Sequence, residues 1–281
     1  MLSSVPERIQ GSVHRVHRRL RRLSIISRVT TRAASLIRTD KLVQPNGDLT
    51  IVYNAVSPPP SRLVSQTSHD GGDHFDAPAT IATAEGLPVP SMKTGLDLCP
   101  VGLEGCPASG MITTFAGAAV DPVDGELYAV WPDARFRTDG LNDILMSIST
   151  DGGASWGAPT AVSPAKSRLD HFNPAVAAYG DYVHVTYRTV RIRDGVPVWV
   201  GMRRIVSADN GSTFGREHRL GRRANLDFAA VVAPGGRKFF GDYMGLAASA
   251  DAVHAVWCLP FHEHRAERAI HQTTFSAALF R

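Results

Sequence analysis

One eight-residue phrase occurs three times in this chain, and it limits the folds the chain can adopt more than any other feature. It reads Ser68-His69-Asp70-Gly71-Gly72-Asp73-His74-Phe75, then Ser149-Thr150-Asp151-Gly152-Gly153-Ala154-Ser155-Trp156, then Ser207-Ala208-Asp209-Asn210-Gly211-Ser212-Thr213-Phe214. The shared frame is Ser-x-Asp-(Gly/Asn)-Gly-x-x-aromatic. Each residue type has a physical reason. The Asp accepts backbone N–H groups two or three positions on. Gly-Gly or Asn-Gly supplies the positive φ of a tight turn, and the aromatic folds back over the turn. Each copy follows an alternating stretch that reads as a β-strand, so one supersecondary unit is used repeatedly.

Reading outward from each copy gives one grammar. Ala116–Asp121, Glu126–Trp131, Asp143–Ser149 and Thr160–Ser163 read as four strands of one unit. Pro174–Tyr179, Tyr182–Tyr187, Val198–Ser207 and Glu217–Leu220 repeat the pattern. Leu49–Asn54 and Leu63–Ser68 serve as second and third strands of an earlier unit. Met244–Ser249, Ala252–Trp257 and Ala269–Phe275 begin a later unit without the phrase. The first interval between phrases is the longer, and its excess is an insertion from about Leu87 to Met111. Such insertions usually sit on one face of a repeat fold.

The phrase resembles the Asp box, or BNR repeat, of sialidases and related β-propellers. The resemblance implies an all-β propeller of four-stranded antiparallel blades, with the boxes between third and fourth strands and away from any catalytic centre. Ser68, Asp70, Gly72 and Phe75, Ser149, Asp151, Gly153 and Trp156, and Ser207, Asp209, Gly211 and Phe214 are its structural residues. Propellers close with about four to eight blades. Four units are legible here, so four to six blades are expected, in a ring that is either closed or incomplete. A partner chain or a missing segment would complete an open one.

Charge divides the chain. Ten of its 30 Lys and Arg stand in residues 1–41 against Glu7 and Asp40, leaving 20 against 24 Asp and Glu in residues 42–281. Residues 1–41 read as a basic extension, poorly ordered or helical, and residues 42–281 as the propeller. An acidic body argues against a nucleic-acid partner. No apolar run has membrane-spanning length, and no secretory h-region is visible. The resemblance points instead to a secreted or cell-surface protein. Cys99 and Cys106 bracket a short loop and are expected to form a disulfide in an oxidising compartment, while Cys258 reads as a packed thiol. His262, His264 and His271 near Glu263 lack metal-ligand spacing, and neither metal nor cofactor is expected.

Site candidates lie at the ends of second strands. Trp131-Pro132-Asp133-Ala134-Arg135 aligns with Tyr187-Arg188-Thr189-Val190-Arg191, so Arg135 and Arg191 occupy equivalent blade positions and can converge on a carboxylate. The alternative is a local Asp133–Arg135 ion pair that fixes the blade's inner turn. Sialidases clamp the sialic-acid carboxylate with three arginines, and Arg62, Arg203 and Arg265 are each eligible as the third. The resemblance also implies a tyrosine nucleophile with a glutamate base and an aspartate acid/base. Tyr243, in Gly241-Asp242-Tyr243-Met244-Gly245, fits the first role or packs in the central tunnel. Glu217 or Glu263 fits the second, and Asp170, in Leu169-Asp170-His171-Phe172, the third. The Phe/Tyr-Arg-Ile-Pro motif of sialidases is missing, and the last unit reads Trp257-Cys258-Leu259-Pro260-Phe261 without the Asp and Arg. Two functions are therefore expected from the sequence: an exo-glycosidase acting on sialic acid or another acidic sugar, or a non-catalytic propeller that binds glycans or proteins.

Overall fold

A computed structural model describes residues 36–55, 62–83, 85, 116–139, 141–164, 168–193, 196–225, 230–233, 237–239, 244–261 and 271–279. Every regular element among them is a β-strand. The strands form antiparallel sheets in simple up-and-down order. Blade A is β1 (Leu36–Val43), β2 (Leu49–Ala55), β3 (Arg62–Ser68) and β4 (Ala79–Thr83). Blade B is β5 (Gly117–Val120), β6 (Leu127–Asp133), β7 (Asp143–Ser149) and β8 (Thr160–Ala161). Blade C is β9 (Leu169–Tyr179), β10 (Tyr182–Arg193), β11 (Val196–Ser207) and β12 (His218–Asn225). A hairpin of β13 (Ala230–Ala233) and β14 (Arg237–Phe239) precedes blade D, which is β15 (Met244–Ala248), β16 (Val253–Phe261) and β17 (His271–Leu279).

The innermost strands β1, β5, β9 and β15 pack successively on one another, so the blades are set side by side about a common axis. At Gly117 an added Cβ would lie 3.0 Å from the Pro174 carbonyl oxygen and 3.2 Å from the Ala175 Cα. Only a glycine lets β5 approach β9 that closely.

Three cores alternate with the blades. Leu42, Val52, Leu63 and Ile81 of blade A meet Leu127, Ala129, Trp131 and Leu145 of blade B. Tyr128, Val130, Ile144 and Met146 on the opposite side of blade B meet Val176, Val183, Val185 and Tyr187 of blade C. Phe172, Val190, Val200 and Met202 of blade C meet Ala255, Trp257 and Leu259 of blade D. Middle strands are therefore buried on both faces and read as continuous apolar runs. Each large side chain so buried contributes about 1.5–3 kcal/mol. Blade D differs: Val253, Ala255 and Trp257 are buried while His254 and Val256 are exposed, so its second strand alternates and its far side faces outward.

The three boxes are superimposable in chemistry. Ser68, Ser149 and Ser207 each donate Oγ–H to the box Asp at 2.8, 2.8 and 2.6 Å. Each serine oxygen also accepts the N–H of the second turn glycine, Gly72, Gly153 or Gly211, at 2.8, 2.9 and 2.8 Å. The same Asp oxygen accepts a backbone N–H four residues on, from His74, Ser155 or Thr213, at 2.9, 2.9 and 2.8 Å. The boxes also join blades. Ser65 and Thr67 of blade A donate to the carbonyls of Gly153 and Gly152 at 3.0 and 2.9 Å, and the Trp156 indole donates to the Ser65 hydroxyl at 2.8 Å. Phe214 packs into the core between blades B and C. Each of these two boxes thus clamps its own blade to the preceding one.

The strands expected from the sequence are present, with four differences. β1 begins at Leu36, inside the segment read as a basic extension ending at 41; the rest of that segment lies outside the described residues. Its Leu36-Ile37-Arg38-Thr39 start is charged enough to hide an inner strand. β9 and β10 are longer than their apolar cores suggest, because their far ends carry Asp170, His171, Arg188 and Arg191. β4 and the β13–β14 hairpin are also additional. Cys99, Cys106 and the 87–111 insertion lie outside the described residues.

Candidate functional site

The β1–β2 turn reaches the first box, where the His69 Nδ1 lies 2.8 Å from the Asp48 carboxylate, and the Asn210 N–H donates to the carbonyl of Asp181 in the β9–β10 turn. First and third strands therefore run toward the box side, and second strands run away from it. The opposite side of the disc gathers the β6–β7 loop, the start of β9 and the end of β10. Asp133, Arg135, Asp170 and Arg191 all fall there.

Asp133 is fully buried, and Arg135 is bound to it from two directions. The Arg135 Nε and Nη2 donate to its two oxygens at 2.9 and 2.8 Å, and the Arg135 backbone N–H adds a third bond at 2.9 Å. The Trp131 indole donates to the same carboxylate at 2.9 Å, and the Arg135 Nη2 also reaches the Thr83 carbonyl at 2.6 Å. Burial alone would raise the Asp133 pKa, but these donors outweigh it and hold the carboxyl below its ordinary value. This is the geometry of the local ion pair, and it ties blade A's outer strand to blade B.

Arg191 is different. It lies opposite Trp199 on β11 and Leu169 on β9, is partly exposed, and has no ion-pair partner among the described residues. Arg135 and Arg191 therefore share a blade position without sharing a task.

Asp170 sits at the start of β9, wholly buried, within a polar cluster between blades B and C. Its Oδ1 accepts the Asn142 backbone N–H at 2.8 Å and the Asn142 side-chain amide at 3.0 Å, while its Oδ2 accepts no hydrogen bond. Burial pushes its pKa up to about 6 despite the Asn142 donors. Asp143, the next residue after Asn142, goes the other way. Burial raises it, but His171 and Arg137 outweigh that and leave its pKa lowered. The Arg137 Nη1 donates to Asp143 at 2.8 Å, and the His171 Nδ1 lies 3.5 Å from the same oxygen and 2.9 Å from the Asn142 carbonyl. Two neighbouring carboxyls are thus driven toward opposite protonation states, the pattern that separates an acid from a base.

Glu217 is held on blade C. The Tyr187 hydroxyl donates to its Oε2 at 2.7 Å, and the Arg203 Nε lies 3.4 Å from its Oε1. Tyr187 meets His171 edge-on with ring centroids 5.4 Å apart. Burial, then the Glu217 charge, raises the phenol's pKa, so Tyr187 stays protonated. Blade A has a neutral counterpart at the equivalent position, Tyr53 donating to Gln66 at 2.7 Å. The Tyr187–Glu217 bond is a latch within the blade.

Tyr243, Glu263, His262, His264 and Arg265 lie outside the described residues. Among the described residues no group of His, Cys, Asp and Glu is arranged to hold a metal ion. Sequence reasoning overlooked Asp143, Asn142, His171 and Trp199. The adjacent polar pairs Asn142-Asp143 and Asp170-His171, each flanking a strand start, were the available signal.

No protein-family model matches the chain, and no curated protein matches it in sequence. Solved structures do align with it. An alpha-L-arabinanase of Penicillium chrysogenum complexed with arabinobiose aligns over 87% of this chain and 62% of its own, at 14% identity and a TM-score of 0.49. The endosialidase of phage phi92 aligns over 87% of this chain and 36% of its own, at 10% identity and a TM-score of 0.49. An alpha-L-arabinofuranosidase of Fusarium graminearum, in complex with an iminosugar inhibitor, aligns over 86% and 62%, at 10% identity and a TM-score of 0.46. The chain spans about three-fifths of the arabinanase's length.

Proposed function

We propose that this chain is a carbohydrate-active propeller, a glycoside hydrolase that takes an acidic sugar on the side of the disc opposite the boxes. The observation that carries the reading is the carboxyl cluster between blades B and C, where Asp170 accepts two bonds from Asn142 and the adjacent Asp143 pairs with Arg137. Binding of the sugar has to open the buried Oδ2 of Asp170, which carries a proton below about pH 6. It then donates to the leaving oxygen as the glycosidic C–O bond breaks, and a nucleophile, Tyr243 or water, takes the sugar carbon. Asp143, held ionised by Arg137, stabilises the positive charge that develops on the sugar ring. Arg191, without a carboxylate of its own, receives the acidic group of the sugar. Tyr243 remains a proposed nucleophile on its sequence context alone.

The test is release of a fluorogenic aglycone from a panel of sialosides, uronides and arabinofuranosides between about pH 4 and pH 8. Turnover is expected to decline above about pH 6, and Asp170→Asn is expected to lose at least about a hundredfold. Folded wild-type protein that releases nothing from any member, or an Asp170→Asn variant with full activity, refutes the hydrolase.

A second reading, binding without catalysis, is favoured by one specific observation: Arg135 and Glu217 are both taken up by internal partners. It predicts saturable glycan binding by a protein with no turnover.

A further inference from the structure

The outer half of blade C carries a concentration of positive charge that, among the described residues, meets a single paired carboxylate, Glu217. Arg191 on β10 and Trp199 on β11 stand opposite one another, and Arg203 stands opposite Arg219 of the outermost strand. Arg223 lays its guanidinium over the Trp199 ring, 4.0 Å from the centroid. Among the described residues, Arg191, Arg219 and Arg223 have no ion-pair partner, and Glu217, beside Arg203, is the cluster's one paired carboxylate. Arg219 and Arg223 are exposed. Four arginines gathered against one carboxylate repel each other, and Arg223 feels it: burial and then the charges of Arg203, Arg219 and Arg191 all lower its pKa. Structural ion pairs relieve such strain, whereas this cluster keeps it. A set of unrelieved like charges on an otherwise acidic body is the mark of a site for a negative partner.

The cluster also has a direction. Leu169, Arg191, Trp199 and Asn225 form one transverse row across the four strands, from the innermost to the outermost. The next row begins with Asp170, opposite Val190. The positive groups therefore run from the Asp170 end of the blade outward to its rim, all on a single blade. A single terminal sugar spans one such position; a chain of acidic sugars spans several.

We propose that the cluster Arg191, Trp199, Arg203, Arg219 and Arg223 is a track for a carboxylated polysaccharide, leading from the rim of blade C to the carboxyl cluster. This rests on the carbohydrate reading above and names the polymer class. Trp199 holds the Arg223 guanidinium flat by cation–π contact, so that its donor edge is free for a planar carboxylate. The acidic balance of residues 42–281 disfavours a nucleic acid, whose phosphates would face the rest of the disc.

The test is equilibrium binding of the full chain to polygalacturonate, with neutral arabinan, dextran sulfate and duplex DNA as comparisons. Polygalacturonate is expected to bind in a salt-sensitive manner and arabinan not to bind. The exposed pair Arg219→Gln/Arg223→Gln should weaken polygalacturonate at least about tenfold while leaving aglycone release from a small glycoside unchanged. Arg223→Lys should weaken it by a smaller factor, because it keeps the charge and loses the planar stack. Unchanged binding in the double variant, or dextran sulfate or DNA binding as tightly as polygalacturonate, overturns the track. Absent turnover with intact, variant-sensitive polymer binding overturns the hydrolase and leaves the track standing.

Discussion

The boxes make a prediction that separates backbone strain from packing, because Gly71 at the first turn position and Gly211 at the second differ in space but only slightly in φ. The first position has φ of +76° at Gly71 and +71° at Gly152, and Asn210 occupies it at +54°. A Cβ at Gly71 would meet nothing within 4 Å. The second position has φ of +97° at Gly72, +93° at Gly153 and +81° at Gly211. There a Cβ at Gly211 would lie 2.5 Å from the Met146 Cε and 3.2 Å from the Ile148 Cδ1, both on blade B. Gly71→Ala therefore carries the left-handed penalty alone, about 1–2 kcal/mol. Gly211→Ala adds overpacking of about 1–3 kcal/mol. The low half of that range applies, because Met146 can swing its terminal methyl although it is fully buried. The expected losses are about 1–2 kcal/mol for Gly71→Ala and about 2–4 kcal/mol for Gly211→Ala. Gly71→Asn should fall below the first, since asparagine tolerates this region best. Urea unfolding followed by tryptophan fluorescence reads the difference as a shift in midpoint at constant slope. Equal losses for the two alanine variants would refute the claim that the second glycine is an inter-blade contact.

Four further outcomes follow from the same geometry. Asp151, lowered to about 2 by the Ser155 hydroxyl and backbone N–H and by Ser149, contributes stability above its unfolded pKa near 4 and loses it as pH falls toward about 2. Asp151→Asn should therefore be less stable than wild type at pH 5, with melting curves that converge toward pH 2. Asp170 has the opposite sign: its raised pKa of about 6 makes ionisation in the fold unfavourable, so wild type should lose stability relative to Asp170→Asn as pH rises from about 4 to 6 and stay level above. Arg135→Ala strands the buried Asp133 carboxylate and should cost about 3–5 kcal/mol, whereas Arg191→Ala should change stability by less than about 0.5 kcal/mol and weaken acidic-sugar binding; chemical denaturation of both variants checks the contrast. Tyr187→Phe should cost about 1–3 kcal/mol by leaving Glu217 short of a donor yet keep aglycone release, and loss of turnover with an intact fold would make Tyr187 a catalytic group.

The legible part of the sequence was the part governed by local rules. Ser, Asp, Gly and an aromatic at fixed spacing determine a turn within eight residues, so the boxes and the strands ending in them could be placed. The equivalence of Arg135 and Arg191 was visible for the same reason, since both follow a second strand. Their different roles were not, because Arg135 has an aspartate two residues before it and Arg191 has a threonine. That pairing was legible as an alternative, but nothing local chose between it and a ligand clamp. Illegible altogether was what depends on two blades meeting. Asp143 and Asp170 lie on different blades, and only the bond from Asn142 to Asp170 joins them into one cluster. Likewise Arg223 and Trp199 come from different strands, brought into contact by a shifted register whose Gly221 has φ of +66°.

The two sides of the disc differ for a physical reason. On the box side, hydrogen bonds from Gln44, Ser65 and Thr67 cross to the box carbonyls of the next blade, and the glycines admit neighbouring side chains without a gap. Ties also cross on the opposite side, where Arg135 reaches the Thr83 carbonyl and Asn142 bonds Asp170. Blade C overhangs there: its second and third strands run 12 residues each against 7 in blade B, so they extend past their neighbour on the side away from the boxes. The overhang is where polar groups collect without loss of core, from Asp170 and His171 on the inner strand to Arg223 on the outer one. A chain of contacts runs the length of it, Arg137 to Asp143 to His171 to Tyr187 to Glu217 to Arg203. The latch that holds Glu217 is thus also what joins the carboxyl cluster to the arginines of blade C, giving the proposed ligand path one continuous edge.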